Sequence, residues 1–515
     1  MLWKPFFIRL PEHRKRLILK LAAICVFVRC KKHHSVAAIL WYVLYEFNVS
    51  QEINYMAQHH LSTPSSDKGI IYAPWERAFN RVLTPFEEFI HRQTTSGLLL
   101  MGAAVIALFL ANGSLAEAYQ HFIHTPVKIA IGDWGINMSL HHWVNDGLMA
   151  LFFFVVGLEL KREMMVGELS DMRQAALPII AAIGGMVVPA LIYLAFNHEG
   201  EAMRGWGIPM ATDIAFAVGA LVLLASRVPK ALITFLVALA IADDLGAVLV
   251  IALFYTHELA LPWLAAAFAL LAVLFMFNFA GIRKVMPYFI IAVFLWYALL
   301  QSGVHATLAG VLGAFTVPAR SKYDPSLFAD RVNELIDRFI ASRHQDDSLL
   351  TNEKLYSVVQ NLEESVKGVQ TPLQRLEQVW HLPVAFIVIP IFAIFNAGIP
   401  IQLNSLGDTL THPVMLGVAF GLFFGKFIGI TGACWLALKL GIGQLPTGTR
   451  FSQVAAVSVL GGIGFTMSIF IAELGFENQP EYLLMAKTGV LLASLFAGVT
   501  GFIWLWFLGK KSAQA

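Results

Sequence analysis

Charged residues are scarce in this chain of 515 residues. Asp, Glu, Lys and Arg make up 14% of it, whereas soluble domains carry about 25%. Hydrophobic residues reach 57% and the mean hydropathy is +0.67, which indicates a polytopic membrane protein rather than a soluble enzyme with one anchor. The formal net charge is +2, and no basic patch with interleaved aromatics indicates a nucleic-acid partner.

Cysteine is nearly absent as well. The three cysteines, Cys25, Cys30 and Cys434, are scattered along the chain. Cys25 and Cys30 have no partner histidines at the spacing of a zinc finger. We therefore expect neither a disulfide framework nor a zinc site, and no cofactor.

Residues 1–96 differ from the rest and read as an N-terminal extension. Their apolar runs, Leu17–Val28 and Val36–Phe47, are shorter than the ~20 residues that a spanning helix needs. The start resembles a signal peptide in outline, but residues 29–32 (RCKK) form a poor cleavage site. We hypothesise that translation starts near Met56, which the intact mass of the natively expressed protein would test.

Long apolar runs begin at Gly97. We predict an all-α polytopic membrane protein with about twelve transmembrane helices. The predicted spans are 97–113, 142–163, 175–197, 206–225, 229–255, 259–280, 285–301, 303–317, 382–397, 413–440, 452–472 and 483–508. The chain divides into spans 1–8 (97–319), a cytoplasmic amphipathic insertion (320–376) and spans 9–12 (377–515).

Lys and Arg are concentrated in alternate connections between the spans. They follow the even-numbered spans as Lys161, Arg162, Arg173, Arg227, Lys230, Arg283, Lys284, Arg320, Lys322, Lys439, Arg450, Lys510 and Lys511. The intervening connections are nearly free of them, with Lys128 and Arg204 as exceptions. The positive-inside rule places both termini in the cytoplasm, as an even number of spans requires. We expect a bacterial inner membrane.

Two connections are long. Val127–Ser139 alternates around Gly132-Asp133, which predicts a β-hairpin on the outer side that could pair with a copy of itself in a homodimer. The insertion 320–376 carries apolar residues at helical spacing, which predicts two amphipathic helices. These residues are Leu335, Ile336 and Phe339, then Leu355, Val358, Leu362 and Val366.

Acidic residues occur deep inside two consecutive apolar spans. Asp213 follows Thr212 in the fourth span, and Asp243 and Asp244 are adjacent in the fifth. A carboxylate at bilayer depth costs at least about 2.5–3.5 kcal/mol on insertion scales, so intramembrane acids are functional by default. Adjacent carboxylates resist joint ionisation, so such a pair binds protons or one hard cation such as sodium. One Asp bonded to a neighbouring helix is the structural alternative.

Spans three to five (175–255) and ten to twelve (413–508) look like counterparts, which predicts two inverted repeats. The middle span of each is interrupted, by Ala211–Phe216 in one and by Gly461–Ser468, with Gly461, Gly462 and Gly464, in the other. Interrupted segments at matching positions indicate the midplane site of a transporter. Lys426 is the only Lys or Arg well inside an apolar span. It could pair with Asp243, or serve as a fixed counter-charge.

Four motifs together resemble one known family. ATDIAFAVGALVLLASRVP, ALAIADDLGA, SGVHATLAG and GGIGFTMSIFIA are similar to the bacterial sodium/proton antiporters of the NhaA type, over about Gly97 to the C-terminus. The resemblance implies crossing interrupted helices and electrogenic exchange of sodium or lithium for protons, for sodium and pH homeostasis. It also implies that Asp243 and Asp244 bind the ion, with Asp244 the most central, and that Lys426 acts in the site.

A second set of residues has weaker assignments. We expect Thr212 and Asp213 to support the helix crossing rather than bind the ion. The resemblance assigns Glu159, Glu163 and Glu377 to a cytoplasmic funnel and pH sensing; a solvated helix end is the alternative. Asp146 could conduct cations outward or cap a helix, and His305 reads as a packed, hydrogen-bonded histidine. The insertion 320–376 departs from the family, which puts the inheritance of pH sensing in doubt.

Two other functions fit parts of the sequence. A sodium-coupled organic solute symporter also uses interrupted helices, but no constellation for an organic substrate is present. An intramembrane aspartyl protease needs two acids, but its GxGD signature is absent and Asp243 and Asp244 are adjacent. We therefore predict a secondary transporter and not an enzyme.

Overall fold

The computed structural model describes residues 93–131, 134–167, 169–256, 259–342, 352–400 and 406–509. The hypothesis of a start at Met56 concerns the segment 1–92 and lies outside the described residues. The tip of the predicted hairpin, Gly132-Asp133, and the basic pair Lys510 and Lys511 also lie outside them.

The described chain is built of helices and one hairpin. Its first part contains α1 (Gln93–Asn112), α2 (Ala116–Ile123), β1 (Pro126–Ile131), β2 (Trp134–Ser139), α3 (Leu140–Val166), α4 (Met172–Phe196), the 3₁₀ helix Glu201–Met210, α5 (Ile214–Val222) and α6 (Lys230–Phe254). Its middle part contains α7 (Leu261–Phe279), α8 (Val285–Ser302), α9 (Leu308–Thr316), α10 (Pro325–Ser342), α11 (Glu353–Val369) and α12 (Pro372–Asn396). The last part contains α13 (Leu406–Thr411), α14 (Pro413–Lys439), α15 (Phe451–Leu460), α16 (Phe465–Gly475) and α17 (Pro480–Leu508).

Within the described residues, ten helices are long and apolar enough to cross a membrane. The pair α15 and α16, bent by 48° at its break, makes an eleventh span if the two are counted together. The predicted eighth span contains only α9, whose nine residues are too few to cross a bilayer alone. An all-α polytopic membrane protein is thus confirmed, with one span shorter than predicted.

The predicted hairpin is present between α2 and α3. Strands β1 and β2 pair antiparallel, from Pro126 opposite Ser139 to Ile131 opposite Trp134. Ser139 ends β2 and also caps α3, since its Oγ accepts a hydrogen bond from the backbone N–H of His142 at 3.3 Å. We call the end of the molecule that carries this hairpin the hairpin end.

In its described part, the segment 320–376 contains the helices α10 and α11, which pack on each other, and the start of α12. Leu335 and Leu355 are buried between them, and Arg331 Nε donates to Ser365 Oγ at 3.1 Å. Ile336 and Val366 are exposed, so only part of each apolar stripe is covered in the described structure.

Three of the long helices contain a π-helical turn. These turns are Trp143–Leu148 in α3, Val384–Val388 in α12 and Gly421–Gly425 in α14. Each turn holds one residue more than an α turn, which rotates the helix that follows it. Such turns are frequent at functional sites, and the third one ends directly before Lys426.

Two groups of three spans form the centre of the molecule. The first group is α4, the broken span from the 3₁₀ helix to α5, and α6; the second is α14, the broken span α15–α16, and α17. Helix α4 packs along α14, where a Cβ atom on Gly429 would lie 2.2 Å from the backbone oxygen of Gly184. Only glycine allows this approach, which draws the two groups together.

Candidate functional site

The two broken spans cross, and their breaks contact each other directly. The first break is residues 211–213, which are extended, and the second is residues 461–464. The backbone N–H of Asp213 donates to the oxygen of Ile463 at 2.7 Å. The hydroxyl of Thr212 donates to the oxygen of Gly461 at 2.9 Å. Each break therefore satisfies backbone groups that the other leaves without a helical partner.

Asp213 joins the starts of two helices. Its Oδ1 accepts the N–H of Phe216 at 3.1 Å and so caps α5. Its Oδ2 accepts the N–H of Thr466 at 3.0 Å and the Thr466 hydroxyl at 2.6 Å, near the start of α16. The carboxylate is 2% exposed. Since helix N-termini are positive, a buried carboxylate here offsets both of them.

The second break depends on small residues. A Cβ atom on Gly462 would lie 2.6 Å from the backbone oxygen of Leu422 on α14. A Cβ atom on Gly464 would meet Ser468 Oγ, which itself donates to the oxygen of Ile208 at 2.8 Å. Ser494 on α17 accepts the N–H groups of Gly464 and Phe465, both at 3.2 Å. The second break thus has no carboxylate. Its glycines allow the close approach of the chains, and the Ser494 hydroxyl accepts backbone N–H groups, as Asp213 does in the first break.

Asp243 and Asp244 lie on α6 beside the crossing. They are 2% and 1% exposed, and Lys426 on α14 is 1% exposed. Lys426 Nζ donates to Asp243 Oδ2 at 2.6 Å. Within the described residues, Oδ1 of Asp243 and Oδ1 of Asp244 are buried and have no hydrogen-bond partner. The structure therefore brings together the three residues that the sequence singled out, with oxygen atoms left over.

Close packing of α4, α6 and α14 positions this lysine. A Cβ atom on Gly185 of α4 would lie 2.8 Å from Ile430 and 3.7 Å from the Lys426 side chain. The π turn ahead of Lys426 sets the face of α14 on which the lysine lies. The result is one buried cation, two buried carboxylates and a surplus of one negative charge if both carboxylates are ionised. Such a set can hold either protons or one added monovalent cation.

The acids assigned to a funnel cluster at the opposite end of α3 from the hairpin. Arg162 lies between two of them, with Nη2 3.0 Å from Glu163 Oε1 and Nε 3.1 Å from Glu377 Oε1. His381 Nδ1 is 3.5 Å from Glu159 Oε1. Glu163 and Glu377 are mostly buried, whereas Arg162 is 40% exposed. These side chains form a network of ionic contacts between α3 and α12.

Asp146 and His305 lie apart from the three buried charges. Asp146 is in the π turn of α3, and its backbone oxygen accepts Trp296 Nε1 at 2.9 Å. It does not cap α3, because that helix begins earlier, at Leu140, with Ser139 as the cap. His305 Nε2 lies 2.5 Å from the backbone oxygen of Tyr255, which agrees with a packed, hydrogen-bonded histidine.

Several residues of the site escaped the sequence reasoning. Thr466 and Ser494 form hydrogen bonds at the helix crossing. Arg162 and His381 contact the acids Glu159, Glu163 and Glu377. Thr466 stands within the second interrupted motif, so the motif itself was a usable signal. Ser494 and His381 carry no sequence signal of this kind, because their roles arise from helices that meet only in the fold.

The chain matches a family model described as Na+/H+ antiporter 1 over residues 87–505. It belongs to this family. The Na(+)/H(+) antiporter NhaA 1 of Saccharophagus degradans is 59% identical over 440 residues, which cover 85% of this chain and 95% of that protein. The Na(+)/H(+) antiporter NhaA of Sulfurimonas denitrificans is 53% identical over 442 residues, which cover 86% and 99%.

Membership of this family confirms the resemblance that the four motifs indicated. It identifies a transporter, and the family match gives no support to the organic solute symporter or to the intramembrane protease. Within the described residues, no group of three or more His, Cys, Asp or Glu side chains is placed to hold a metal ion.

Proposed function

We infer that the protein exports sodium, and also lithium, in exchange for protons, and so serves sodium and pH homeostasis. The observation that carries this inference is the buried Lys426–Asp243 pair beside Asp244 at the crossing of two broken helices. Relatives that are named sodium/proton antiporters support it. Sodium and lithium are hard cations that prefer oxygen ligands, and both acids present unpartnered carboxylate oxygens.

Exchange follows from competition for the same carboxylates. A cation that enters between Asp243 and Asp244 replaces Lys426 at Asp243 Oδ2. Lys426 then lies buried without a counter-charge, which favours loss of its proton. When protons return, Lys426 is charged again, pairs with Asp243 and expels the cation. Because cation and protons bind in alternation, the site carries one or the other across the membrane. Asp244 also gives up a proton when the cation enters and regains it when the cation leaves, so two protons move for each cation and the exchange is electrogenic.

A cavity lies at the end of the molecule opposite the hairpin, and we assign it to the entry path of the ion. Its volume is about 490 Å³, and it opens between the end of α3 and helices α5 and α6. Glu163, Asp171 and Thr234 line it together with apolar side chains such as Val218 and Val237. An acidic mouth raises the local concentration of cations. We assign Glu159, Glu163 and Glu377 to this cytoplasmic entrance.

The charge pattern supports an orientation in a bacterial inner membrane. Lys161 and Arg162 lie at the cavity end of α3, and the hairpin lies at its other end. The positive-inside rule places the cavity end in the cytoplasm with both termini and the insertion 320–376. The hairpin then lies outside, with Asp146 on the outward side of the ion site.

Proton flux in everted membrane vesicles tests the proposal. Addition of sodium or lithium is expected to dissipate an imposed pH gradient, and Asp244→Asn is expected to abolish the response because one carboxylate cannot replace two. Asp408→Asn on the exposed face of α13 is the matched control and should transport normally. Normal flux in Asp244→Asn removes Asp244 from the mechanism, and no response in the unmodified protein overturns antiport.

We also propose that the hairpin Val127–Ser139 mediates a homodimer. A two-stranded sheet has two free edges, and an edge strand can pair with a second copy. Ile129 is 58% exposed on β1 and would be covered by such pairing. Crosslinking of single cysteines at Lys128 or Asn137 should join two copies in membranes. A cysteine at Glu199 is the control, and equal crosslinking at both places contradicts a dimer through the hairpin.

A further inference from the structure

A second group of buried polar residues lies at the hairpin end, away from Asp243 and Lys426. It consists of His141 and Asn145 on α3, Asn396 on α12, Glu473 on α16 and Lys487 on α17, and we call it the hairpin-end cluster. Asn145, Asn396 and Glu473 are less than a tenth exposed, and the His141 and Lys487 side chains are 13% exposed. The proposed exchange between sodium and protons uses none of these five residues.

Glu473 is the centre of this cluster. Its Oε1 lies 3.5 Å from His141 Nε2 and forms an ion pair with Lys487 Nζ. The same His141 Nε2 lies 3.0 Å from Asn396 Oδ1, and Asn396 Nδ2 donates to Asn145 Oδ1 at 2.8 Å. His141 is therefore the residue through which Glu473 of the second three-span group meets α3 and α12.

An apolar layer lies directly beneath the cluster. Phe470 is one turn from Glu473 on α16, towards the crossing of the broken helices. Its ring centroid is 5.4 Å from that of Phe153 on α3 and 6.2 Å from that of Phe392 on α12. All three rings are at most 1% exposed. Two layers, one polar and one aromatic, thus close the seam between α16 and the pair α3 and α12.

The other end of α3 borders an open cavity. This cavity of about 490 Å³ separates Glu163 and Val166 of α3 from α5 and α6. The helical segment Met149–Val166 alone has 18 residues, or about 27 Å at 1.5 Å per residue, so the closed seam and the cavity are far apart. Opening the hairpin end requires α16 to separate from α3 and α12, which breaks the contact between His141 and Glu473.

We propose that His141 and Glu473 form a latch that holds the outer path to the ion site shut and that opens when their contact is broken. The proposal rests on the proposed antiport and orientation, because it assigns the latch to the outer gate of that transport path. His141 is thus a positioning residue for exchange and does not contact the transported ion.

Several charged groups surround the latch. The Glu473 carboxylate attracts His141, and Asp146 also interacts electrostatically with His141. Lys487 also pairs with Glu473 and so competes with His141 for it. The ring centroids of His124 and His142 are each 5.8 Å from that of His141, so a positive charge on these rings repels a positive charge on His141. Burial first, and then His141 and His142, lower the pKa of His124.

Thiol accessibility tests the latch without any measurement of transport. In a chain with Cys25, Cys30 and Cys434 replaced by Ser, Ala393→Cys places a thiol on α12 one turn inward of Asn396, at a position that is 2% exposed. Cells are treated from outside with an impermeant thiol reagent, and variants are compared at equal pH. At pH 6, His141→Leu should raise the modification rate about tenfold, as expected for the loss of one charge-assisted contact.

Two further variants make the outcome decisive. His141→Gln keeps a donor for Asn396 but carries no charge, so it should be modified as fast as His141→Leu while retaining the fold. His142→Leu, an exposed neighbour, should react like the parent. Equal rates in the parent, His141→Leu and His141→Gln overturn the latch, even if antiport is normal. Absent antiport in the parent overturns the proposed function and leaves the accessibility result to stand by itself.

Discussion

The two helix breaks at the centre of this protein have the same place in their three-span groups but different chemistry. The first break contains Asp213, whose carboxylate binds N–H groups of both α5 and α16. The second break contains three glycines and no charge, and Ser494 from another helix accepts its N–H groups. The first group also supplies Asp243 and Asp244, whereas the second supplies Lys426.

This difference shows that neither group can form the site alone. One group carries the acids, and the other carries the base and the glycines that let the chains approach. Repetition of the backbone arrangement therefore provides two crossing breaks, while divergence of the side chains provides a charge pair between them. Substitutions in the two three-span groups should lower the stability of the protein by unequal amounts, which can be measured as thermal stability in detergent.

The largest effect is expected at the pair between the groups. Lys426→Met leaves Asp243 buried without its counter-charge, and removal of one partner of a buried pair costs about 3–5 kcal/mol. The double variant Lys426→Met with Asp243→Asn removes both charges and should recover most of that loss. If the double variant is no more stable than Lys426→Met, the pair is not the main electrostatic link between the two groups.

The next effect is expected at the first break. Asp213→Ala leaves the N–H groups of Phe216 and Thr466 without acceptors, at about 1–3 kcal/mol for each buried group. Asp213→Asn keeps one acceptor oxygen and should lose roughly half as much. Melting curves of the two variants distinguish them, and equal losses would mean that charge, rather than hydrogen bonding, dominates at this break.

A smaller effect is expected at the second break. Gly462→Ala places a Cβ atom 2.6 Å from the backbone oxygen of Leu422, and overpacking of this kind costs about 1–3 kcal/mol. Gly432→Ala on α14 is the matched control, since a Cβ atom there meets nothing within 4 Å. A control that loses as much stability as Gly462→Ala would contradict the close approach of the chains at this glycine.

The smallest effect is expected at an exposed counterpart of Asp213. Asp324 caps α10, and its Oδ1 accepts the N–H of Ser326 at 2.9 Å. Hydrogen bonds from Ser326 lower the pKa of Asp324 from its ordinary 3.8. The stabilisation is therefore present above that ordinary value and is lost as pH falls through the lower folded value. Asp324→Asn should therefore lower stability slightly at pH 7, where the ionised carboxylate contributes, and should remove the dependence below pH 3.8, as followed by helical circular dichroism.

The sequence predicted the fold class, the hairpin and both breaks, because each has a local cause. Long apolar runs predict the spans, strict alternation of apolar and polar residues predicts the hairpin, and clustered glycines predict a break, each within the segment that forms it. The length of α9 was less predictable, since an apolar run from 303 to 317 does not show where its helix begins. In the structure residues 303–307 form a turn, and the helix starts only at Leu308.

The residues of the candidate site likewise divide into those that the sequence alone singles out and those that it does not. Asp213, Asp243, Asp244 and Lys426 are conspicuous because charge is rare in apolar spans. Ser494, His381 and the pair of Glu473 with Lys487 are not, because a hydroxyl or a charge near the end of a span is ordinary. Their roles depend on which helices meet, for example α16 with α3, and that information is not contained in either segment alone.

The π turn Gly421–Gly425 means that no single helical wheel describes α14. A wheel advances by about 100° per residue, so one extra residue in a turn puts everything after it about 100° out of phase with everything before. Lys426 is the first residue after this shift. A deletion of one residue within the turn would restore a regular wheel and would turn the lysine away from α6. In this helix, the departure from regular periodicity is what places Lys426 against Asp243.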